Sequence, residues 1–281
     1  MKSFTDRVAA VTGAGSGIGR ALALRLAADG ANLALADKDP AGLAGTAAQL
    51  ARTGARVTTT ELDVADEKGV YAWADATTAE FGTVNLVVNN AGVALAGTVE
   101  ALSIDDYRWI MDINFWGVVY GTKAFLPHLV ASGDGHVVNV SSIFGIAAQP
   151  LMSGYNASKY AVRGFTESLR QDLDMTGAPV SATCVHPGGI RTNIARTARV
   201  DASTAAVTGT PADSATAEFE KLLMTTPDKA ARTILDGVRR DRRRVLIGPD
   251  ATVLDAMARL LPASYQRIVT TAVGSRRGGR R

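Results

Sequence analysis

The feature that most constrains this chain lies near its start. Residues 7–12, Arg-Val-Ala-Ala-Val-Thr, form an apolar run short enough for a buried strand. They lead directly into Gly13-Ala14-Gly15-Ser16-Gly17-Ile18-Gly19 and then into a helical pattern over residues 20–29. A strand, a glycine-rich turn and a helix in that order make the first unit of a dinucleotide-binding α/β fold. The glycines let backbone approach a pyrophosphate, and the helix N-terminus supplies oriented N–H groups and a favourable dipole. The spacing here is Thr-Gly-x-x-x-Gly-x-Gly.

The same rhythm continues. Residues 32–36 read as a second strand ending at Asp37, and 41–52 as a helix. Residues 55–62 read as a strand leading to Asp63-Val64, and 67–81 as a helix. A strand at 84–88 ends in Asn89-Asn90-Ala91-Gly92, and a long helix runs from Ser103 to about Val130. A strand at 135–140 ends in Ser141-Ser142, and a helix covers 155–175. A strand at 180–185 reaches His186-Pro187-Gly188; a helix at 227–238 and a short strand at 245–247 close the series. Strands alternating with helices imply a parallel sheet covered on both faces. Ligands of such sheets bind beyond the carboxyl ends of the strands. Gly13, Asp37, Asp63, Asn89, Ser142 and Pro187 all fall there, as one cleft would require.

Asp37 ends the second strand, 18 residues past Gly19. A carboxylate there can accept hydrogen bonds from an adenosine ribose and repels a 2′-phosphate, which favours NAD over NADP. The adjacent Lys38 partly offsets that repulsion. Within Ser153-Gly154-Tyr155-Asn156-Ala157-Ser158-Lys159, Tyr155 and Lys159 stand four residues apart, on one face of a helix. A free tyrosine has a pKa of about 10. A nearby ammonium lowers it, making Tyr155 a candidate general acid/base.

Composition narrows the class. The chain has 281 residues, 47% hydrophobic and 20% charged, as expected of a globular protein with a sizeable core. No apolar run reaches membrane-span length and the start lacks an apolar leader, so a cytoplasmic protein is expected. The single Cys184 reads as a buried reduced thiol, and His128, His136 and His186 are too scattered to bind metal. The net charge of +3 is local, because residues 274–281 hold four arginines and no acid. This basic end reads as a solvated terminus, and nucleic-acid binding is not expected.

Taken in order, Thr12-Gly13-Ala14-Gly15-Ser16-Gly17-Ile18-Gly19, Asp63-Val64, Asn89-Asn90-Ala91-Gly92, Asn114, Ser142, Tyr155-x-x-x-Lys159 and Pro187-Gly188-Gly189-Ile190-Arg191-Thr192 strongly resemble the short-chain dehydrogenase/reductase superfamily over about residues 5–250. The resemblance implies a single doubly wound Rossmann domain with a parallel seven-stranded sheet and helices on both faces. It implies that Tyr155 is the general acid/base and that Lys159 lowers its pKa and holds the nicotinamide ribose. Ser142, rather than Ser141, would bond the substrate oxygen. Asn114 would distort its helix and help hold a water chain to Lys159.

For the cofactor it implies a site of Gly13, Ser16, Gly17, Ile18, Gly19, Asp37, Asp63, Val64, Asn90, Ala91, Gly92, Tyr155, Lys159, Pro187, Gly188, Ile190 and Thr192, with no metal. Asp63 would meet adenine, Asn90 would lie near the adenosine ribose, and Thr192 would contact the carboxamide. The expected activity is NAD-dependent hydride transfer with a mostly apolar secondary alcohol or ketone. An NADP-linked carbonyl reductase and a non-catalytic dinucleotide sensor are the alternatives. A homodimer or homotetramer paired through the two long helices is also implied.

Past Thr192 the pattern loosens. Residues 193–226 read as a mobile lid, with a helix at 215–224 and with Arg196 and Arg199 as solvated charges or anion ligands. Val93, Ala94, Leu95, Ile143, Phe144, Gln149, Leu151 and Met152 are the expected pocket walls. Residues 1–250 form the expected domain, and 251–281 a C-terminal helix and basic tail. The amphipathic stretch at 250–261 is expected to pack on a neighbouring subunit, over the pocket or at a membrane surface.

Overall fold

The computed structural model describes residues 1–211, 217 and 223–274. The first half of the chain alternates β1 (Val8–Thr12), α1 (Gly17–Ala28), β2 (Asn32–Asp37), α2 (Pro40–Leu50), β3 (Val57–Glu61), α3 (Glu67–Phe81) and β4 (Leu86–Asn89). After a short β5 (Leu95–Ala96) come α4 (Ile104–Met111), α5 (Gly117–Ala131), β6 (Gly135–Val140), α6 (Ser153–Thr176) and β7 (Val180–Pro187). A short β8 (Arg199–Val200) and α7 (Ser203–Thr208) precede α8 (Pro227–Arg239), β9 (Arg244–Ile247), α9 (Pro249–Leu260) and α10 (Tyr265–Gly274).

Seven strands form one parallel sheet in the order β3-β2-β1-β4-β6-β7-β9. Every residue of β1 is buried, and successive residues serve opposite faces. Ala9 and Val11 pack with Leu22, Leu26 and Ile234 on one side. Val8 and Ala10 pack with Trp73, Phe125 and Leu129 on the other. Two apolar faces explain why the strand reads as a continuous apolar run rather than an alternating one. The chain order reverses at β1, which has β2 on one side and β4 on the other. The crevice between their carboxyl ends is where such sheets bind ligands.

Three elements add detail to the alternating pattern. The long helix begins as expected, with Ser103 and Asp106 forming a capping box. It is then interrupted by a π-helical turn over Asp112–Trp116, which carries Asn114. Residues 199–200 pair in parallel with Leu95–Ala96, so this part of the expected lid is held as a strand. The C-terminal region holds two helices, because residues 261–264 form a turn that starts α10. Most of the helix expected at 215–224, and the tail at 275–281, lie outside the described residues. Cys184 is buried in β7 as a free thiol. Among the described residues no His, Cys, Asp or Glu group is placed to hold a metal, and no helix is long and apolar enough to cross a membrane.

Candidate active site

The glycine loop is built for close approach. Gly13 has φ +65°, and a Cβ there would stand 2.8 Å from Asn90 Nδ2 and 2.9 Å from Ala91 Cα. On Gly19 a Cβ would drive into the carbonyl of Gly13. Asn90 Nδ2 donates to the Thr12 carbonyl at 2.9 Å, and Thr12 Oγ1 accepts from the N–H groups of Asn90 and Ala91. The β1 and β4 ends are thus sewn together at the crevice. Ser16 precedes α1 without capping it through its side chain, leaving first-turn N–H groups to face an anion. Arg20 braces the loop by donating to the Gly15 and Gly42 carbonyls and to Thr46 Oγ1. Arg20 and Thr46 are missing from the sequence-derived site because they brace the loop from behind, and Thr12 is missing because it ties the loop to the end of β4.

Asp37 lies at the rim of this loop. Its Oδ2 accepts from Gly15 N–H at 2.7 Å and its Oδ1 from Asp39 N–H at 2.9 Å. Lys38 turns toward Asp63, 2.8 Å away, so its charge is matched by a carboxylate. Partial burial raises the Asp63 pKa, but hydrogen bonds from Lys38 and the Ala65 N–H outweigh it and hold the carboxyl below its usual range. Val64 is buried against Gly117. The loop's glycine cradle, open N–H groups and rim carboxylate fit a dinucleotide.

A second cluster sits on the other side of Gly92, where an added Cβ would stand 3.1 Å from Asn114 Oδ1 and 3.3 Å from Lys159 Nζ. Asn114 exchanges two hydrogen bonds with the Val93 backbone and donates to Ser158 Oγ. These bonds fix its side chain inside the π-helical turn. Lys159 is buried, and its Nζ donates to the Val140 carbonyl at 3.1 Å. The Nζ is 5.8 Å from the Tyr155 ring centroid. Burial lowers the Lys159 pKa to about 8.

Tyr155 departs from the expectation that Lys159 lowers its pKa. Burial raises it, and the opposing influence is the Ser142 hydroxyl. The Lys159 Nζ lies toward the ring and the Val140 carbonyl. The two serines divide: Ser141 Oγ donates to the Lys159 carbonyl at 2.7 Å, and Ser142 faces Tyr155. His186 was not singled out by the sequence. Its Nδ1 is 3.0 Å from the Ser142 carbonyl, and burial drops its pKa to about 4.

The turn after β7 completes the crevice. Gly188 N–H donates to Ile247 O, and Gly189 N–H donates to Asp250 Oδ2 at 2.6 Å. Pro187 ends β7, and Ile190 pairs with Thr225. The Thr192 methyl would stand 3.0 Å from a Cβ on Gly17, so this turn arches over the glycine loop. Asp250 has no motif signal: it lies 61 residues from Gly189 in sequence.

Residues 7–203 match the family of short chain dehydrogenases. The chain belongs to this family. Among similar members, the oxidoreductase SadH of Mycobacterium tuberculosis is 51% identical over 276 residues, 97% of each chain. Levodione reductase of Leifsonia aquatica is 39% identical over 192 residues, 67% of this chain and 71% of its own. A solved short chain dehydrogenase of Burkholderia phymatum in complex with NAD superposes with a TM-score of 0.86 at 32% identity, covering 95% of this chain and 97% of that one. Solved relatives include complexes with NAD and with an NADP derivative.

In this short-chain dehydrogenase the expected pocket walls divide. Ala94, Leu95, Val93, Phe144 and Met152 pack with Tyr155. Ile143 instead turns toward Ala251 and Leu254 of α9. A cavity of about 540 Å³ opens beside the first turn of α6, lined by Gly97, Val99, Gln149, Leu151, Ser153 and their neighbours. Arg199 lies 3.7 Å from the Trp109 ring centroid and 3.7 Å from Asp106, an anchored cation rather than a free one.

Proposed function

We propose that this chain is an NAD-dependent oxidoreductase acting on a mostly apolar secondary alcohol or its ketone. The observation that carries the reading is the convergence of Ser142, Tyr155, Lys159 and Asn114 on one side of Gly92, with the glycine loop on the other. NAD, when bound, supplies the hydride acceptor and NADH the donor. Gly13, Ser16, Gly17, Ile18 and Gly19 would hold its pyrophosphate. Asp37 would hold the adenosine ribose, Asp63 and Val64 the adenine, and Asn90, Ala91 and Gly92 the middle of the molecule. Pro187, Gly188, Ile190 and Thr192 would hold the nicotinamide end. Asp37 supports NAD over NADP, and the Lys38–Asp63 ion pair removes the cation that would have welcomed a 2′-phosphate.

Tyr155 gives its proton to the carbonyl oxygen in reduction and takes the hydroxyl proton in oxidation. Ser142 donates to the same oxygen, stabilising charge that develops there. Lys159 holds the nicotinamide ribose, and Asn114 fixes the backbone beside the ammonium. Residues 1–250 act as one catalytic unit. The protein works in the cytoplasm as a homodimer or homotetramer.

The test is NADH formation by purified protein from NAD and a panel of open-chain and alicyclic secondary alcohols, with NADP in parallel. Turnover with NAD is expected. Turnover with NADP alone would overturn the cofactor choice, and tight NADH binding without turnover of any substrate would favour the sensor.

A further inference from the structure

The segment between β6 and α6 has two duties. It begins with Ser142, and farther on Ala148, Gln149, Pro150 and Leu151 line the large cavity. It has little structure of its own. One 3₁₀ turn covers Ile143–Gly145, and Leu151 sits at φ +63°, a conformation unfavourable to a branched side chain. Other elements must therefore hold it.

Two tyrosine hydroxyls do so. Tyr160 donates to the Ile146 carbonyl at 2.5 Å, and Tyr265 accepts from the Ala148 N–H at 3.1 Å. Ala147, between them, is fully buried against Tyr265 and Val269. Burial, with Tyr265 beside it, raises the Tyr160 pKa to about 12, so this hydroxyl stays protonated. Tyr265 itself is 6% exposed, which leaves its hydroxyl little access to competing water. It stands on α10, 117 residues from Ala148 and beyond the matched family region.

We propose that Tyr265 is a positioning residue that sets the shape of the substrate cavity by clasping Ala148. The C-terminal helix then selects which alcohols or ketones fit, while the catalytic core treats them alike. This rests on the reading of the chain as an alcohol/ketone oxidoreductase. Bulky alicyclic substrates, whose far end reaches Ala148–Leu151, depend on the clasp. A short alcohol such as propan-2-ol, filling only the space at Tyr155, does not.

The test compares wild type with Tyr265→Phe, which keeps the packed ring and removes only the hydroxyl. Backbone hydrogen exchange in a 146–151 peptide should rise about fivefold, the scale of one lost hydrogen bond. Exchange over residues 13–19 should not change. The KM of a bulky alicyclic ketone should shift by about fivefold or more with kcat within about twofold. KM for propan-2-ol and NADH affinity should hold. Unchanged exchange at 146–151, or equal KM changes for bulky and small substrates, would overturn the proposal. If wild type turns over neither substrate, the functional reading fails, and the exchange comparison alone then decides the clasp.

Discussion

The glycine-loop crevice and the cavity beside α6 are built in different ways. The crevice is held by short polar ties among Thr12, Gly15, Asp37 and Asn90, all at the ends of neighbouring strands. The cavity wall is held from outside, by Tyr160 and Tyr265, over separations of up to 117 residues. Motif-bearing backbone thus fixes one side of the reaction, and side chains without motifs fix the other. A family sharing a cofactor and differing in substrate would be expected to divide its labour in this way.

The sharpest break between the halves is Tyr155→Phe. Turnover should fall by about 10³-fold or more, the scale of a lost general acid, while NADH affinity stays within about twofold. Retained turnover would remove Tyr155 from the mechanism, and a parallel loss of NADH binding would show the two halves to be one unit.

Acid separates them next. His136 and His186 are buried in β6 and β7, and burial lowers both pKa values from 6.5 to about 4. The folded pKa lies below the unfolded one, so the unfolded chain takes up protons first as pH drops. Stability present above pH 6.5 is lost toward pH 4, of the order of 3 kcal/mol per histidine. Urea titrations across this range should show the loss. His186→Asn, which keeps a donor for the Ser142 carbonyl, should remove about half of the decline. An unaltered slope would contradict the assignment.

Gly19→Ala attacks the crevice alone. The new methyl meets the Gly13 carbonyl, and cofactor affinity should drop about 100-fold, about 2.7 kcal/mol. Gly164→Ala in α6 meets nothing within 4 Å and should stabilise the protein by roughly 0.5–1 kcal/mol. Calorimetric binding and thermal melts report both, and equal responses would erase the contrast. Smaller than the Gly19 effect is that of Asp37→Ala, expected to weaken NAD about tenfold, about 1.4 kcal/mol, and to relieve discrimination against NADP. An unchanged preference would shift the selection elsewhere.

The crevice was legible in the sequence because its constraints are local. Glycine spacing and strand-end residues reveal Gly13, Asp37 and Asn90 directly, and buried parallel strands show as apolar runs. The resemblance implied that Asn114 distorts its helix, and a π-helical turn stands there; the bonds to Val93 that fix the side chain were not legible, since they reach across the fold. Tyr265 and Asp250 carry no pattern that periodicity could detect. Ile143 was read as a wall from its place beside Ser142, yet it faces α9, because a 3₁₀ turn aims neighbouring side chains apart.

The placement of Tyr265 also sets a timetable for synthesis. The Gly13–Gly92 portion of the crevice is made first, whereas Tyr265 follows Gly92 by 173 residues. At roughly 5–20 residues per second, the interval between Gly92 and Tyr265 is about 9–35 s. A growing chain can therefore assemble much of its glycine-loop crevice before the residue that clasps Ala148 exists, and the wall of the cavity beside α6 is among the later parts to be fixed.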